Sequence, residues 1–220
     1  MKRFFTFTAG WFATVMILGV VTSANAMIAN GGFETGDLTG WAYGGQAGVQ
    51  ADVVYDGTYA AWVGTVDYNQ DDVNDFTNET GSEGYTNNWI SQTVDVTGMT
   101  SLEFWYNFYT WDYESYDEPG FEIQINGTTL LNINAADIDT TGDGVSLDST
   151  GWTLFAYDLT GYNEATLDLT IYAGNTGDSK YQSWVYIDNT APVPVPSTMF
   201  LMGSGLIGLA GIGRSCLKKS

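Results

Sequence analysis

An aromatic run between positions 104 and 116 is the most unusual stretch of the sequence. It begins Phe104-Trp-Tyr-Asn-Phe-Tyr-Thr-Trp-Asp-Tyr113 and ends at Tyr116. Because successive side chains of a strand point to opposite faces, the rings divide into two sets. The first face holds Phe104, Tyr106 and Phe108, and the second holds Trp105, Tyr109 and Trp111. One of the two faces must belong to the core.

The second of these faces has two interpretations. If it is open, its flat rings can stack on sugar rings, with hydrogen-bonding edges from Asn107, Asp112 and Glu114. Alternatively, both faces are buried in a sandwich, or the rings form a dimer contact. The sequence leaves these alternatives open.

A second group of polar residues forms an acidic loop between positions 137 and 148. Its side-chain oxygens follow the spacing of an EF-hand calcium loop, with ligands at Asp137, Asp139, Thr141, Asp143 and Asp148. However, no helices flank the loop, and Gly144 stands where an apolar residue is expected. The last ligand is also Asp instead of Glu. The loop is either a second calcium site or a plain polar hairpin.

Catalysis has little support in the sequence. The chain has no His, and its single Cys, Cys216, lies near the C-terminus, so Ser-His and Cys-His nucleophile arrangements are excluded from the domain. Paired carboxylates could hydrolyse glycosides, but among 26 acidic residues such pairs arise by chance. We therefore expect a non-enzyme, with a glycoside hydrolase as a remote alternative.

The charge distribution separates the middle of the chain from its ends. All 26 acidic residues lie between Glu34 and Asp188, and Lys180 is the only basic residue in that span. Such a domain should repel nucleic acid and anionic membrane surfaces, because affinity for phosphates comes from Lys and Arg. The remaining basic residues lie in the two terminal segments.

The first 26 residues follow the pattern of a signal peptide. Lys2 and Arg3 precede an uncharged, mostly apolar stretch, and the small residues Ala24 and Ala26 then mark a cleavage site. We expect signal peptidase to cut after Ala26, in preference to the segment remaining as a membrane anchor. The exported domain would then span residues 27–190.

The C-terminal segment predicts a linker followed by a membrane helix. Proline occupies every second position of residues 191–196, which predicts an extended spacer. In the tail, residues 197–220, a helix over about 198–213 carries no charge and would span about 25 Å, slightly less than the hydrocarbon core. The basic residues that follow favour a cytoplasmic C-terminus.

The residues between these ends predict an all-β domain. Apolar and polar residues alternate over 121–125 and over 166–172, where Leu167, Leu169 and Ile171 would face inward. Asn126-Gly127 predicts a type I′ hairpin turn. Further strands are expected over 89–96, 101–110, 152–158 and 183–188, with a long polar loop over 67–88. Many short strands with Gly-rich turns indicate an antiparallel β-sandwich, or jelly roll.

The C-terminal segment also resembles a known family. Pro194-Val195-Pro196, a Gly-containing apolar stretch to Ile212 and a basic end from Arg214 are similar to the PEP-CTERM sorting signal. Val195 stands where that family has Glu. The resemblance implies processing by an exosortase-type enzyme and sorting to the surface of a Gram-negative bacterium that makes exopolysaccharide.

A second resemblance covers both ends of the domain. The segment Asn30-Gly-Gly-Phe-Glu-Thr-Gly-Asp-Leu-Thr-Gly-Trp41, the segment Asp56-Gly-Thr-Tyr-Ala-Ala-Trp62 and the closing Tyr186-Ile-Asp-Asn189 are similar to carbohydrate-binding jelly rolls of the galactose-binding-like type. The resemblance implies that the first and last strands lie side by side. Sugar binding does not follow, because such scaffolds host several functions.

This resemblance also implies a structural calcium ion where those strands meet. Glu34 and Asp188 would supply carboxylates, and backbone oxygens near Gly36 and the Asp56-Gly57 turn would complete the shell. Oxygen ligands suit calcium, and a site without His or Cys argues against zinc or copper. In the alternative, Glu34 caps a turn and Asp188 accepts backbone N–H bonds.

Together these features predict an exported, non-enzymatic protein of the cell surface or exopolysaccharide matrix, anchored transiently in the inner membrane. The alternative is a carbohydrate-binding module that holds extracellular polysaccharide with Trp105, Tyr109 and Trp111.

Overall fold

A computed structural model of the chain describes residues 28–64, 88–112, 120–138, 146–174 and 182–194. The predicted signal peptide with Ala24 and Ala26, the predicted membrane helix over 198–213 and nearly all of the polar loop over 67–88 lie outside these residues. In the described part of the chain, no helix has the length and apolar character needed to cross a membrane.

Strands dominate the described residues, and one helical turn interrupts them. In chain order the elements are β1 (Ala42–Gly44), β2 (Ala47–Gln50), β3 (Ala60–Gly64), β4 (Trp89–Asp95), β5 (Met99–Thr110), β6 (Phe121–Ile125), β7 (Thr128–Ile133), α1 (Ala135–Ile138), β8 (Asp148–Ser149), β9 (Thr153–Asp158), β10 (Thr166–Ala173) and β11 (Ser183–Pro194).

These strands form two antiparallel sheets. The five-stranded sheet has the order β1-β4-β10-β6-β7, and the six-stranded sheet has the order β2-β3-β11-β5-β8, with β9 also paired to β5. Each pairing between the described strands is antiparallel. The predicted all-β antiparallel architecture is therefore confirmed.

The core lies between the two sheets and follows the two-residue alternation. Leu167, Leu169 and Ile171 of β10 are buried, as predicted, and pack in one cluster with the buried set of β5. That set is Phe104, Tyr106 and Phe108, so the first of the two predicted faces of the aromatic run belongs to the core. Phe121 of the opposite sheet contacts this set, with its ring centroid 5.0 Å from that of Tyr106.

The hairpin between β6 and β7 has the predicted turn. Asn126 and Gly127 have φ values of 51° and 71°, the left-handed values that both central residues of a type I′ turn require. Gly127 adopts this conformation without strain, because it has no Cβ. The sequence signal at this position is therefore confirmed by the backbone.

The predicted linker differs from the structure in its first residues. Ala191–Pro194 continue β11 and pair with residues 99–103 of β5, after a register shift that follows Asp188. β3 pairs with β11 only as far as Ile187, so among the described strands Ala191–Pro194 pair with β5 alone. Proline is tolerated at such an edge, since its missing N–H costs no ladder hydrogen bond there.

Three turns share the sequence Asp-x-Thr-Gly, a recurrence that the sequence analysis did not identify. They begin at Asp37, Asp95 and Asp158, whose Oδ1 atoms accept the Thr backbone N–H at 3.0, 2.9 and 2.7 Å. The Gly residues have φ values of 90°, 73° and 85°. A backbone hydrogen bond closes each turn. The motif is thus a turn that the domain uses repeatedly.

Burial predicts which core substitutions are costly. Leu169 of β10 is fully buried, whereas Leu130 of β7 is 39% exposed. Leu169→Ala should lower the free energy of unfolding by about 2–5 kcal/mol, because it removes apolar contacts and leaves a cavity. Leu130→Ala, the matched control in the same sheet, should cost about 1 kcal/mol or less. Urea unfolding measures both, and equal losses would contradict the assignment of the core.

The turn carboxylates predict a loss of stability in acid. Hydrogen bonds from the Thr97 N–H and hydroxyl lower the pKa of Asp95 below its ordinary value of 3.8, and hydrogen bonds from the Thr160 hydroxyl and N–H lower the pKa of Asp158. A carboxylate whose pKa is lower in the folded state stabilises the fold above its unfolded pKa. That contribution is lost as the pH falls through the folded pKa.

Between about pH 5 and about pH 2, the unfolding free energy of the wild type should therefore fall more steeply than that of the D95N/D158N variant. Asn keeps an oxygen for the Thr N–H but has no charge to lose. Urea unfolding at a series of pH values measures the difference. Identical pH profiles for the two proteins would show that these turns do not respond to acid.

Candidate functional site

The outer surface of the six-stranded sheet, which points away from the core, is rich in aromatic side chains. Alternation along β3, β5 and β11 places on it the rings of Trp62, Trp105, Tyr109, Trp184 and Tyr186, here called the aromatic face. Strand register brings them together: Tyr186 lies opposite Trp62, and Trp184 lies opposite Tyr109. Three strands that are distant in sequence therefore build one surface.

The rings of this face contact one another closely. Tyr109 stacks on Trp184 with ring centroids 5.5 Å apart and an interplanar angle of 4°. Tyr186 meets Tyr109 edge-on at 5.6 Å. Trp184 and Tyr186 are buried, whereas Trp105, Tyr109 and Trp111 are half-buried. The surface is thus neither fully open nor fully buried, the two states that the sequence had left as alternatives.

Polar atoms without partners concentrate on this same surface. Among the described residues, five buried side-chain polar atoms lack a hydrogen-bond partner, and four of them belong to Asn107, Trp111, Gln182 and Trp184. All four lie on β5 or β11, or directly next to the end of one of them, at positions whose side chains alternate toward the outer surface. The unpartnered atoms are two acceptors, Asn107 Oδ1 and Gln182 Oε1, and two indole N–H donors. Because buried polar groups are normally paired, this concentration needs an explanation.

Tyr109 lies against two of these residues. Its hydroxyl accepts a hydrogen bond of 3.2 Å from Asn107 Nδ2, and its ring stacks on Trp184. Tyr109 is itself half-buried. Tyr109 therefore links the partly exposed surface to two of the residues that carry unpartnered atoms.

One end of the aromatic face extends onto a loop between β2 and β3. The Tyr55 ring stacks on Trp105 with centroids 4.1 Å apart and an interplanar angle of 14°. Trp152 meets Tyr55 edge-on at 5.7 Å. Tyr55 and the neighbouring Leu154 of β9 are 40% and 44% exposed. This end is the most open part of the surface.

Two carboxylates hold that loop, which we call the carboxylate-held loop, Tyr55–Tyr59. Asp188 Oδ2 accepts the backbone N–H groups of Tyr55 and Asp56 at 2.9 and 3.0 Å. Glu34 Oε1 accepts those of Thr58 and Tyr59 at 2.9 and 3.1 Å. The loop therefore has its donors paired with acidic side chains from the first and last segments of the domain.

Gly57 allows Glu34 to approach this closely. Its φ is 75°, and a Cβ on Gly57 would lie 2.2 Å from Glu34 Oε1. Any side chain at this position would therefore displace the Glu34 carboxylate from the loop. This requirement explains glycine at position 57 in structural terms.

The two carboxylates differ in their electrostatic environment. Burial raises the pKa of Asp188, and the nearby charge of Glu34 raises it further, while hydrogen bonds from the loop and from Asn189 act in the opposite direction. The N–H groups of Thr58 and Tyr59 lower the pKa of Glu34. Two negative charges thus lie close together, and one of them is buried.

This arrangement partly fits the calcium ligands implied by the resemblance. Glu34 and Asp188 meet at the carboxylate-held loop, but Asp56 Oδ1 accepts the Gly57 N–H, and Gly36 packs against the Tyr59 ring. In the described ranges, no group of three or more His, Cys, Asp or Glu residues could hold a metal ion. Any ion here would need two side-chain carboxylates plus backbone or water oxygens.

Of the second acidic loop, only the two ends are described. Asp137 lies in α1, where it exchanges hydrogen bonds of 3.0 and 3.1 Å with Asn134, as in helix capping. Asp148 begins β8 and pairs with Thr110. Asp139, Thr141 and Asp143 lie outside the described residues, so the calcium interpretation of this loop stays a prediction.

Several residues of the surface were not identified from the sequence. Trp184 and Tyr186 have the spacing of one strand face, which is a signal that could have been used. Tyr55, Trp62 and Trp152 carry no such signal, because they come from a loop, another strand and a turn.

Comparison with known proteins gives similar folds at low sequence identity. TmCBM61 in complex with β-1,4-galactotriose has 14% identity and a TM-score of 0.43, and the match covers 79% of this chain and 100% of that chain. CBM27-1 of Caldicellulosiruptor saccharolyticus in complex with mannohexaose has 19% identity, 75% and 96% coverage, and a TM-score of 0.40. The K2 adhesin domain of Lys-gingipain has 13% identity, 71% and 89% coverage, and a TM-score of 0.42.

No curated protein shows significant sequence similarity to the chain. A family model, the PEP-CTERM protein-sorting motif, matches residues 192–215. The match includes Pro194-Val195-Pro196, of which Pro194 is the last residue of β11. The chain therefore ends in a PEP-CTERM protein-sorting motif, which implies export across the membrane and exosortase-type processing.

Proposed function

We propose that the domain is a non-catalytic polysaccharide-binding module of the cell surface or exopolysaccharide matrix. The observation that carries the proposal is the aromatic face, where half-buried rings lie beside unpartnered buried acceptors and donors. Aromatic rings offer flat apolar surface to the C–H faces of a sugar. Sugar hydroxyl groups both donate and accept hydrogen bonds, so they can pair with both kinds of atom.

The energetics favour such a ligand over a purely apolar one. A buried polar atom without a partner costs about 1–3 kcal/mol, and a ligand that supplies the partner recovers part of that cost. An apolar partner would cover Asn107 Oδ1 and the Trp184 indole N–H without pairing them. A hydroxylated chain, in contrast, carries both donors and acceptors that could pair with such atoms.

Export and anchoring complete the proposal. Signal peptidase would remove the leader after Ala26, and the tail would hold the domain in the inner membrane of a Gram-negative bacterium until an exosortase-type enzyme acts near Pro194-Val195-Pro196. Position 195, where this chain has Val and the PEP-CTERM family has Glu, lies in the region where that enzyme would act. The net negative charge of the domain favours solubility and disfavours binding to anionic lipid surfaces.

The residues do not favour hydrolysis. The chain has no His, and Cys216 lies in the tail. The buried carboxylate of Asp188 binds backbone N–H groups of the carboxylate-held loop, so its role is in positioning that loop. A glycoside hydrolase remains the competing hypothesis, and release of reducing sugar from a bound polysaccharide would support it.

We further propose that calcium stabilises the domain at Glu34 and Asp188, near Gly36 and Asp56. Two carboxylates lie together there, and no Lys or Arg occurs in the described residues to neutralise them. A divalent cation bound by oxygen ligands would remove this repulsion. The ion would supply charge neutralisation and would join the first and last segments of the domain.

Polysaccharide binding is tested by affinity electrophoresis of the full chain in detergent. The gels contain galactan, mannan, xylan or the exopolysaccharide of the producing cells. The wild type should bind at least one of them, and Tyr109→Ala should weaken binding about tenfold, the loss typical of a central aromatic contact.

Tyr43 provides the matched control for this variant. It is 59% exposed on β1 of the other sheet, so Tyr43→Ala should leave binding unchanged. Absence of wild-type binding to every polysaccharide, or equal losses in the two variants, would contradict the assignment of the binding surface.

Calcium binding is tested by thermal unfolding with and without a chelator. At about a thousandfold excess over its dissociation constant, a bound ion adds about 4 kcal/mol to stability. The chelator should therefore lower the melting temperature of the wild type and have no effect on Glu34→Ala. Glu164→Ala, which changes an exposed acid far from the loop in sequence, should keep the wild-type response. A wild type unaffected by chelator would refute the calcium proposal.

A further inference from the structure

We infer that Tyr55, a residue of the carboxylate-held loop, forms the sugar-contacting ring at the open end of the aromatic face, and that Asp188 positions it. This inference rests on the proposed polysaccharide-binding function and adds a residue that alternation along β5 does not reveal. It also assigns the sugar contact at this end to Tyr55 in place of Trp105.

The ring geometry supports Tyr55 as the contacting residue. The Tyr55 ring covers one face of Trp105, with centroids 4.1 Å apart and nearly parallel planes. Tyr55 is 40% exposed, whereas Trp105 is half-buried beneath it. A sugar ring that approaches this end therefore meets Tyr55 first.

The surroundings of Tyr55 extend the same surface. Trp152 contacts its edge at 5.7 Å. Leu154, opposite Trp105 in the register between β5 and β9, is 44% exposed. Trp152 is half-buried and lies two residues before the exposed Leu154, so two segments, the carboxylate-held loop and the start of β9, build the apolar surface beside the Tyr55–Trp105 stack. Exposed rings and aliphatic groups of this kind are typical of binding surfaces.

Asp188 connects the loop to the sheet at this position. In the β11–β5 register Asp188 lies opposite Trp105, and its Oδ2 accepts the N–H groups of Tyr55 and Asp56. Because Asp188 is 1% exposed, loss of its carboxylate would leave two loop donors without their partner. The residue that pairs with Trp105 across the strands thus also fixes the backbone that carries Tyr55.

This arrangement pre-organises the ring. A tyrosine on an unrestrained loop would lose conformational freedom when it stacks on a ligand, which weakens binding. The stack on Trp105 and the anchoring of the Tyr55 N–H remove most of that freedom before the ligand arrives. Tyr55 is therefore a contact residue, and Asp188 is a positioning residue that acts through it.

Polysaccharide binding is measured by affinity electrophoresis of the full chain in detergent, with galactan, mannan, xylan or the cells' exopolysaccharide in the gel. Tyr55→Ala should weaken binding about tenfold, and Tyr55→Phe, which keeps the stacking ring, should stay within about twofold. Tyr43→Ala should not change binding. Unchanged or stronger binding by Tyr55→Ala would overturn the inference, because it would show that Tyr55 is only a cover over Trp105.

The positioning role of Asp188 is tested by near-ultraviolet circular dichroism of the protein without ligand. Tyr55→Ala should remove the signal of the Tyr55–Trp105 stack, and Asp188→Ala should remove the same signal. Asp188→Asn keeps an acceptor oxygen and should retain it in part, which also covers the case in which Asp188→Ala fails to fold. A wild-type spectrum in Asp188→Ala, or an undiminished one in Asp188→Asn where the Ala variant does not fold, would overturn the positioning role.

The two proposals fail in different ways. If the wild type binds none of the polysaccharides, the proposed function and the ligand role of Tyr55 both fail, while the dichroism still decides whether Asp188 positions Tyr55. If the wild type binds and Tyr109→Ala weakens binding but Tyr55→Ala does not, only the inference about Tyr55 fails.

Discussion

The pairing of β11 with β5 is the interaction on which both the core and the candidate site depend. Its register places Val185 beside Phe108 on the inner side and Trp184 beside Tyr109 on the outer side. Side chains alternate with a period of two, so a slip of one residue would exchange the two sets and move Trp184 into the core. Correct register therefore produces a packed core and an aromatic outer surface together.

The scarcity of positive charge is a second constraint on the domain. The described residues contain 14 carboxylate side chains and no Lys or Arg. Carboxylates here therefore accept hydrogen bonds from backbone N–H and hydroxyl groups in place of basic side chains. Asp95 and Asp158 stabilise turns in this way, and Glu34 and Asp188 hold a loop. Hydrogen bonds to ionised acceptors are stronger than neutral ones, which suits them to this role.

The same strand links the candidate site to the sorting tail. β11 carries Trp184 and Tyr186 on the aromatic face, then Asp188 at the loop, and it continues to Pro194. The PEP-CTERM motif begins at residue 192, so motif and strand overlap. The aromatic face, the anchor of the carboxylate-held loop and the sorting motif are therefore consecutive along one segment of chain.

Local patterns predicted β4, β5, β6, β9, β10 and β11 and divided the rings of β5 into two faces, but they did not predict the short strands β1, β2 and β8. Alternation grouped Phe104, Tyr106 and Phe108 on one face, and Asn126-Gly127 identified a hairpin, because both depend on backbone geometry within a few residues. The contact between Tyr55 and Asp188 joins residues 133 positions apart. Contacts of this kind depend on strand order and register, which no local pattern specifies. The sequence by itself thus determined an all-β domain and a sorting tail, whereas the tertiary structure decided which rings share a surface and which carboxylate anchors Tyr55.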